Sequence, residues 1–265
     1  AERPEAELLA VMKHVRFACM EASFLHGTVG AWPALHSMDG QRLLFSSSNP
    51  LQRPLPRVGF GPRLIYVVGG KDSDGTQLNT VESYDPHNTS WKQLAGMAGP
   101  RNSHGCVALE GKLYAVGGVG GIGQPLDTAE VYDPQTDRWQ PLAKMTTERC
   151  WFGLAAVGGK VYAIGGWSGV AVLESVEAYD PQLGAWAPVA SMSGKRKRHA
   201  SVVLGGKIYT MGGMGDFGAT LDTVEVYDPQ ADSWQRVASM PQGRRSHTAA
   251  AMGGKIYVTG GWQQG

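Results

Sequence analysis

Three recurring sets of residues in this chain could do chemistry. Carboxylates stand at Glu82, Glu130, Glu177 and Glu225, arginines at Arg101, Arg149, Arg196 and Arg244, and histidines at His104, His199 and His247. A carboxylate near a histidine or a cation is the raw material of general acid–base catalysis. A catalytic pair occurs once, whereas these sets return in step along the chain. They therefore read as scaffold: buried or half-buried groups tying strands or neighbouring units together. A second signal, Gly118-Val119-Gly120-Gly121-Ile122-Gly123, matches the glycine pattern that cradles a pyrophosphate. That chemistry needs a helix starting at the loop, with its first amides facing the phosphates. Gln124-Pro125-Leu126-Asp127 leads into a strand instead. The cysteines Cys19, Cys106 and Cys150 make no zinc-like spacing with histidine. The expectation is a protein with no catalytic residues, no metal and no cofactor.

The elements that must position these residues follow from a longer rhythm. Double glycines recur at Gly69-Gly70, Gly117-Gly118, Gly165-Gly166, Gly212-Gly213 and Gly260-Gly261, in steps of 48, 48, 47 and 48 residues. Tyr-Asp follows at Tyr84, Tyr132, Tyr179 and Tyr227, a Trp at Trp91, Trp139, Trp186 and Trp234, and a Met at Met97, Met145, Met192 and Met240. Such a period marks a repeat array. Within residues 101–148 the pattern is four short strands: Ser103–Leu109, Lys112–Gly118, Thr128–Asp133 and Trp139–Leu142. Glu110-Gly111 makes a tight hairpin between the first two, and Asp133-Pro134 starts the last turn. A small antiparallel meander with two apolar faces is stable only when stacked on its copies, and radial stacking gives a β-propeller. Gly117 and Gly118 let backbone pass where a side chain would clash, while Tyr132 and Trp139 fill the space between sheets.

Double glycine, V-E-x-Y-D-P, the Trp seven residues after the Tyr, then Met and Arg together resemble the kelch repeat. The resemblance covers residues 64–265, divided as 64–100, 101–148, 149–195, 196–243 and a partial 244–265, and implies an all-β kelch β-propeller. Counting strands gives about four and a half blades, so the expectation is a propeller piece cut at both ends. Residues 1–46 show helical spacing, with Leu8, Leu9, Met12, Val15 and Arg16 on neighbouring turns. Ser37 could cap a short helix. The stretches ELLAVMKHVRFACMEASFLHG and MDGQRLLF resemble the end of a BACK domain, which implies the BTB-BACK-kelch family. Residues 47–63, rich in Ser, Asn and Pro, read as a linker.

Composition narrows the setting. Lys and Arg number 24 against 23 acidic residues, a net charge of +1, which gives no case for nucleic-acid attraction. No run of about 18 apolar residues suggests a membrane span. An odd, small set of cysteines fits a reducing compartment, so the expected location is the cytoplasm, with the nucleus as an extension. Asn88-Thr89-Ser90 matches a glycosylation acceptor that would be inert there.

If the repeats are scaffold, function lies where they differ. Two loop sets vary. One follows the recurring Arg: Asn102 and Ser103, Cys150 with Trp151 and Phe152, Lys197 and Arg198, Arg245 and Ser246. The other follows the double glycine and holds Trp167, Met214 to Phe217, and Trp262. The resemblance implies that both sets converge on one rim, where substrate peptides bind. Basic groups interleaved with aromatics suit an acidic or phosphorylated peptide with an apolar anchor. The resemblance further implies the substrate-recognition propeller of a cullin-3 ubiquitin ligase adaptor, with cullin-3 held through BTB and BACK parts outside this sequence. The alternative is a structural kelch scaffold, such as an actin-associated protein. An enzyme is the reading least supported by these residues.

Overall fold

The structure, a computed structural model, describes residues 64–263, and the helical and linker expectations for residues 1–63 lie outside that range. Within the described residues, five antiparallel sheets follow one another. The first holds β1 (Ile65–Lys71), β2 (Gln77–Asp85) and β3 (Ser90–Leu94). The second holds β4 (Gly105–Leu109), β5 (Lys112–Val116), β6 (Ala129–Asp133) and β7 (Arg138–Pro141). In the third are β8 (Gly153–Val157), β9 (Lys160–Trp167), β10 (Val172–Asp180) and β11 (Ala185–Val189). The fourth has β12 (Ala200–Leu204), β13 (Lys207–Met211), β14 (Val224–Asp228) and β15 (Ser233–Val237), and the fifth has β16 (Thr248–Met252) and β17 (Lys255–Thr259). This is the expected incomplete propeller of four-stranded meanders. The expected first strands begin later than their sequence suggested: Ser103 stands at φ 52° and lies outside β4.

The core lies between blades, not inside any one of them. Period-two alternation sends Tyr114 and Val116 of β5 toward the third blade, where they meet Val161, Ala163 and Tyr179. Ala115, from the same strand, faces the first blade and packs with Val81 and Met97. The tyrosines of the Tyr-Asp turns reach the neighbouring blade's second strand: Tyr179 lies 6.2 Å from Tyr114 and Tyr227 5.6 Å from Tyr162. The recurring tryptophans cross the same boundary through their indole N–H. Trp139 donates to the Ala95 carbonyl, Trp186 to Ala143 and Trp234 to Ala190, at 2.8 to 3.0 Å.

The double glycine is where blades come closest. Gly117 has φ 59° and Gly118 φ 96°, regions that L side chains avoid. A Cβ on Gly117 would lie 2.5 Å from the Arg149 carbonyl oxygen of the next blade. The Gly118 N–H instead donates to that carbonyl at 2.9 Å. Gly118 also begins the G-x-G-x-x-G stretch, which turns back through a Val119–Pro125 bridge and starts no helix. Dinucleotide binding has no support there.

Three of the recurring arginines form ion pairs with recurring carboxylates in the interior. Arg101 meets Glu130 at 2.5 Å, Arg149 meets Glu177 at 2.6 Å and Arg196 meets Glu225 at 2.6 Å. Arg149 is fully buried, and its guanidinium also donates to the carbonyls of Gly165 and Ser175. Glu177 takes further bonds from the amides of Thr146 and Thr147, in the segment arriving from the blade before. A buried charge left alone costs far more than the pair contributes. Arg149→Met should therefore destabilise by about 3–5 kcal/mol, and the double variant Arg149→Met/Glu177→Met should cost less than the single one. Urea unfolding of the two variants checks this.

Candidate functional site

The residues after each recurring Arg come together on one face. Ser103, Trp151, Arg198 and Ser246 share a left-handed backbone, with φ between 52° and 56°. The last three amides donate to the previous blade: Trp151 to the Ser103 carbonyl at 3.1 Å, Arg198 to Trp151 at 2.7 Å and Ser246 to Arg198 at 2.8 Å. A chain of main-chain hydrogen bonds thus runs across the blades through positions whose side chains differ between repeats. Just before it, short bridges join the two loop sets within a blade: Asn102 to Val119, Cys150 to Trp167, Lys197 to Met214 and Arg245 to Trp262. These bridges bring the two loop sets together at their roots.

Lys195-Arg196-Lys197-Arg198 looks uniform in sequence and splits into separate environments. Lys195 pairs with Asp216 at 3.2 Å on the surface, and Arg196 is the buried partner of Glu225. Lys197 lies across the tryptophans, its Nζ 4.0 Å from the Trp167 ring centroid and 5.8 Å from that of Trp151. Arg198 stacks on Trp151, with Cζ 4.5 Å from the ring centroid. Such contacts hold a cation by the negative ring face and leave its hydrogen-bond donors for something else. Arg245 on the next blade donates to the Met214 sulfur at 2.8 Å. None of Lys197, Arg198 and Arg245 forms an ion pair with a carboxylate among the described residues.

Burial pushes the Lys197 ammonium below the usual lysine range, and the neighbouring Arg198 charge adds to the effect. Beneath it the Cys150 thiol is pushed up to about 11 by burial, against the pull of Lys197 and Arg198. That thiol stays protonated and is a packing group.

Around this centre the loops after the double glycines carry exposed apolar side chains: Ile122, Val170, Phe217 and Trp262. Phe217 projects completely, on a backbone at φ 58° and ψ 17° that aromatic residues rarely adopt. Phe152 does not belong with them. It is 9% exposed, packed in the core with Tyr114 and Met145, and its ring abuts Gly117 of the preceding blade. The step from Trp151 to Phe152 reverses the side-chain direction, so one of two adjacent aromatics faces out and the other in. Asn102 is also buried, its Oδ1 accepting from the Ser103 hydroxyl at 2.9 Å. Ser103, Ser246, Trp151, Trp167, Lys197, Arg198, Arg245, Phe217 and Trp262 all retain exposed surface. Met214 completes the Arg245 contact, and its place directly after a double glycine was the signal for it.

These features define a kelch-like β-propeller that carries a variable loop face on an invariant frame. The chain belongs to the Attractin/LZTR1 β-propeller family, whose model matches residues 65–265. Among solved structures, that of YjhT resembles it with a TM-score of 0.67 and 18% sequence identity, over 78% of this chain and 76% of its own. At that identity the likeness concerns the fold. Propellers of this kind serve as interaction modules, and the BACK-like expectation lies N-terminal to the matched residues.

Because the Arg198 charge adds to burial in depressing Lys197, Arg198→Gln should raise the Lys197 pKa toward the ordinary lysine value. Side-chain NMR titration of Lys197 reads this directly.

Proposed function

We propose that this propeller binds a partner protein through an acidic or phosphorylated segment laid across the loop face. The observation that carries this reading is the set Lys197, Arg198 and Arg245, three cations supported by aromatic rings or sulfur and paired with no carboxylate among the described residues. Guanidinium groups fit carboxylate and phosphate oxygens in pairs. Trp151 and Trp167 give flat area near the cations, and Phe217 and Trp262 offer apolar anchors further out. Rigid aromatics and arginine dominate the energetics of protein recognition.

In the finer form of this proposal, the propeller is the substrate-recognition half of a cullin-3 ubiquitin ligase adaptor acting in the cytoplasm and nucleus, and it binds rather than catalyses. Its support is the resemblance of residues 1–46 to a BACK domain. Recovery of cullin-3 with the natural protein from cells tests that form. Its failure would leave a structural kelch scaffold, which shares the loop face and not the ligase.

The loop-face reading is tested with an immobilised panel of acidic, phosphorylated and neutral peptides. Binding should favour the anionic members and weaken with salt. Arg198→Glu/Arg245→Glu should reduce it by more than about tenfold, since each lost charged contact is worth about 1.5–3 kcal/mol. Unchanged binding by a double variant with native circular dichroism would reject the site.

A further inference from the structure

Each closed joint between the described blades contains one ring wedged beside a double glycine. A Cβ on Gly69 of the first blade would lie 3.2 Å from His104 Cε1, and one on Gly118 would lie 2.6 Å from His104 Cβ. His247 stands the same way between Gly212 and Gly261, with corresponding distances of 2.7 Å and 2.7 Å. His199 lies beside Gly213 and reaches Gly153 of the preceding blade, whose Cβ would be 2.8 Å from His199 Nε2. Between the second and third blades the ring is Phe152, between Gly117 and Gly166. The joint accepts a ring that cannot be charged as readily as one that can.

We propose that His104, His199 and His247 make the blade joints an acid-sensitive switch, in which protonation of the wedged imidazoles opens the propeller. His199 and His247 are almost wholly buried. The charged groups acting on the rings are Arg101 on His104, Arg196 and His247 on His199, and Arg244 on His247. The arginines are cations, and His247 becomes one once protonated, so a proton on any ring adds like charge to a buried joint. The carboxylates Glu130 and Glu225 are already held by Arg101 and Arg196, and Ser201 beside Gly153 is neutral.

The direction of the effect follows. Burial, then the arginine charge, pushes His104 down to about 3 and His247 down to about 4, and lowers His199 well below the usual range. The backbone of Arg101, Val68, Arg196, Ile164, Arg244 and Met211 opposes this more weakly. A histidine whose folded pKa is depressed leaves stability intact above its unfolded value near 6.5, and stability is lost as pH falls below that. At pH 5 each such histidine lowers the folding equilibrium about 30-fold, and three together about thirty-thousand-fold. Each histidine directly follows Ser103, Arg198 or Ser246, so opening a joint also pulls on the hydrogen-bond chain of the loop face.

The test is an acid titration of the 265-residue chain, from pH 7.5 to pH 3.5, followed by circular dichroism and tryptophan fluorescence. The wild-type chain should lose its structure between about pH 6.5 and 4. His104→Phe/His199→Phe/His247→Phe copies the third blade's solution and should stay folded to a lower pH. Phe152→His is the converse: it should fold at pH 7.5 and open at a higher pH than wild type. A wild-type chain still folded at pH 4 would overturn the proposal. So would a folded triple variant with an unshifted acid midpoint, which would assign acid loss to the buried carboxylates. If the triple variant fails to fold, the Phe152→His midpoint decides, and an unshifted value overturns the switch.

Discussion

Everything in this propeller depends on how the arginine opening each repeat joins two blades. Arg149 shows the arrangement. Its carbonyl accepts the Gly118 N–H of the second blade, while its guanidinium donates to the Gly165 carbonyl and to Glu177 in the third. Glu177 in turn accepts the amides of Thr146 and Thr147 from the connecting segment. One residue thereby satisfies backbone groups on both sides of a boundary where secondary structure offers them no partner, which is the condition for burying backbone at all. The same bonds recur at Arg101 and Arg196. Because the carbonyl approaches so closely, only glycine fits opposite it, and the double glycine and the arginine are one constraint seen from two sides.

A joint so fully determined leaves the next residues free to vary. Ser103, Trp151, Arg198 and Ser246 range from hydroxyl to indole to guanidinium yet share one backbone conformation and one chain of hydrogen bonds. The frame therefore sets where these side chains begin and leaves their identity open. This is the usual division between a rigid scaffold and the loops that carry recognition. The cations at Lys197 and Arg198 are held over tryptophan faces instead of carboxylates, which keeps their charge and donors directed outward.

The blades are not identical, and their differences are informative. In the second and fourth blades, Asp137 and Asp232 accept both the tyrosine hydroxyl of their own blade and an amide of the preceding one. The third blade has Gly184 at that place and Phe152 at the histidine place. Its boundary with the second blade relies more on apolar packing, with Tyr114, Phe152, Tyr179 and Trp186 in one cluster. A propeller tolerates such exchange because each boundary is a local contact between neighbours.

Much of the fold was legible in the residues. A period near 48 with in-phase Gly-Gly, Tyr-Asp, Trp and Arg defines a four-stranded unit, and its two apolar faces require neighbours. The recurrence of Glu130 and Arg149 in every unit marked them as structural without any coordinates. Strand starts were less legible, because Ser103 adopts a left-handed backbone and its carbonyl accepts the Trp151 amide of the next blade, a contact distant in sequence. The site was legible only as a list of loops. That Trp151 faces out and Phe152 in, that Arg196 is buried while Lys197 is not, and that Lys197 lies over Trp167 are facts of long-range packing. Local pattern determines how the chain makes sheets, since side-chain alternation and turn chemistry act between near neighbours. Which loop side chains meet was decided only when blades far apart in sequence were pressed edge to edge, because that contact alone fixes their directions.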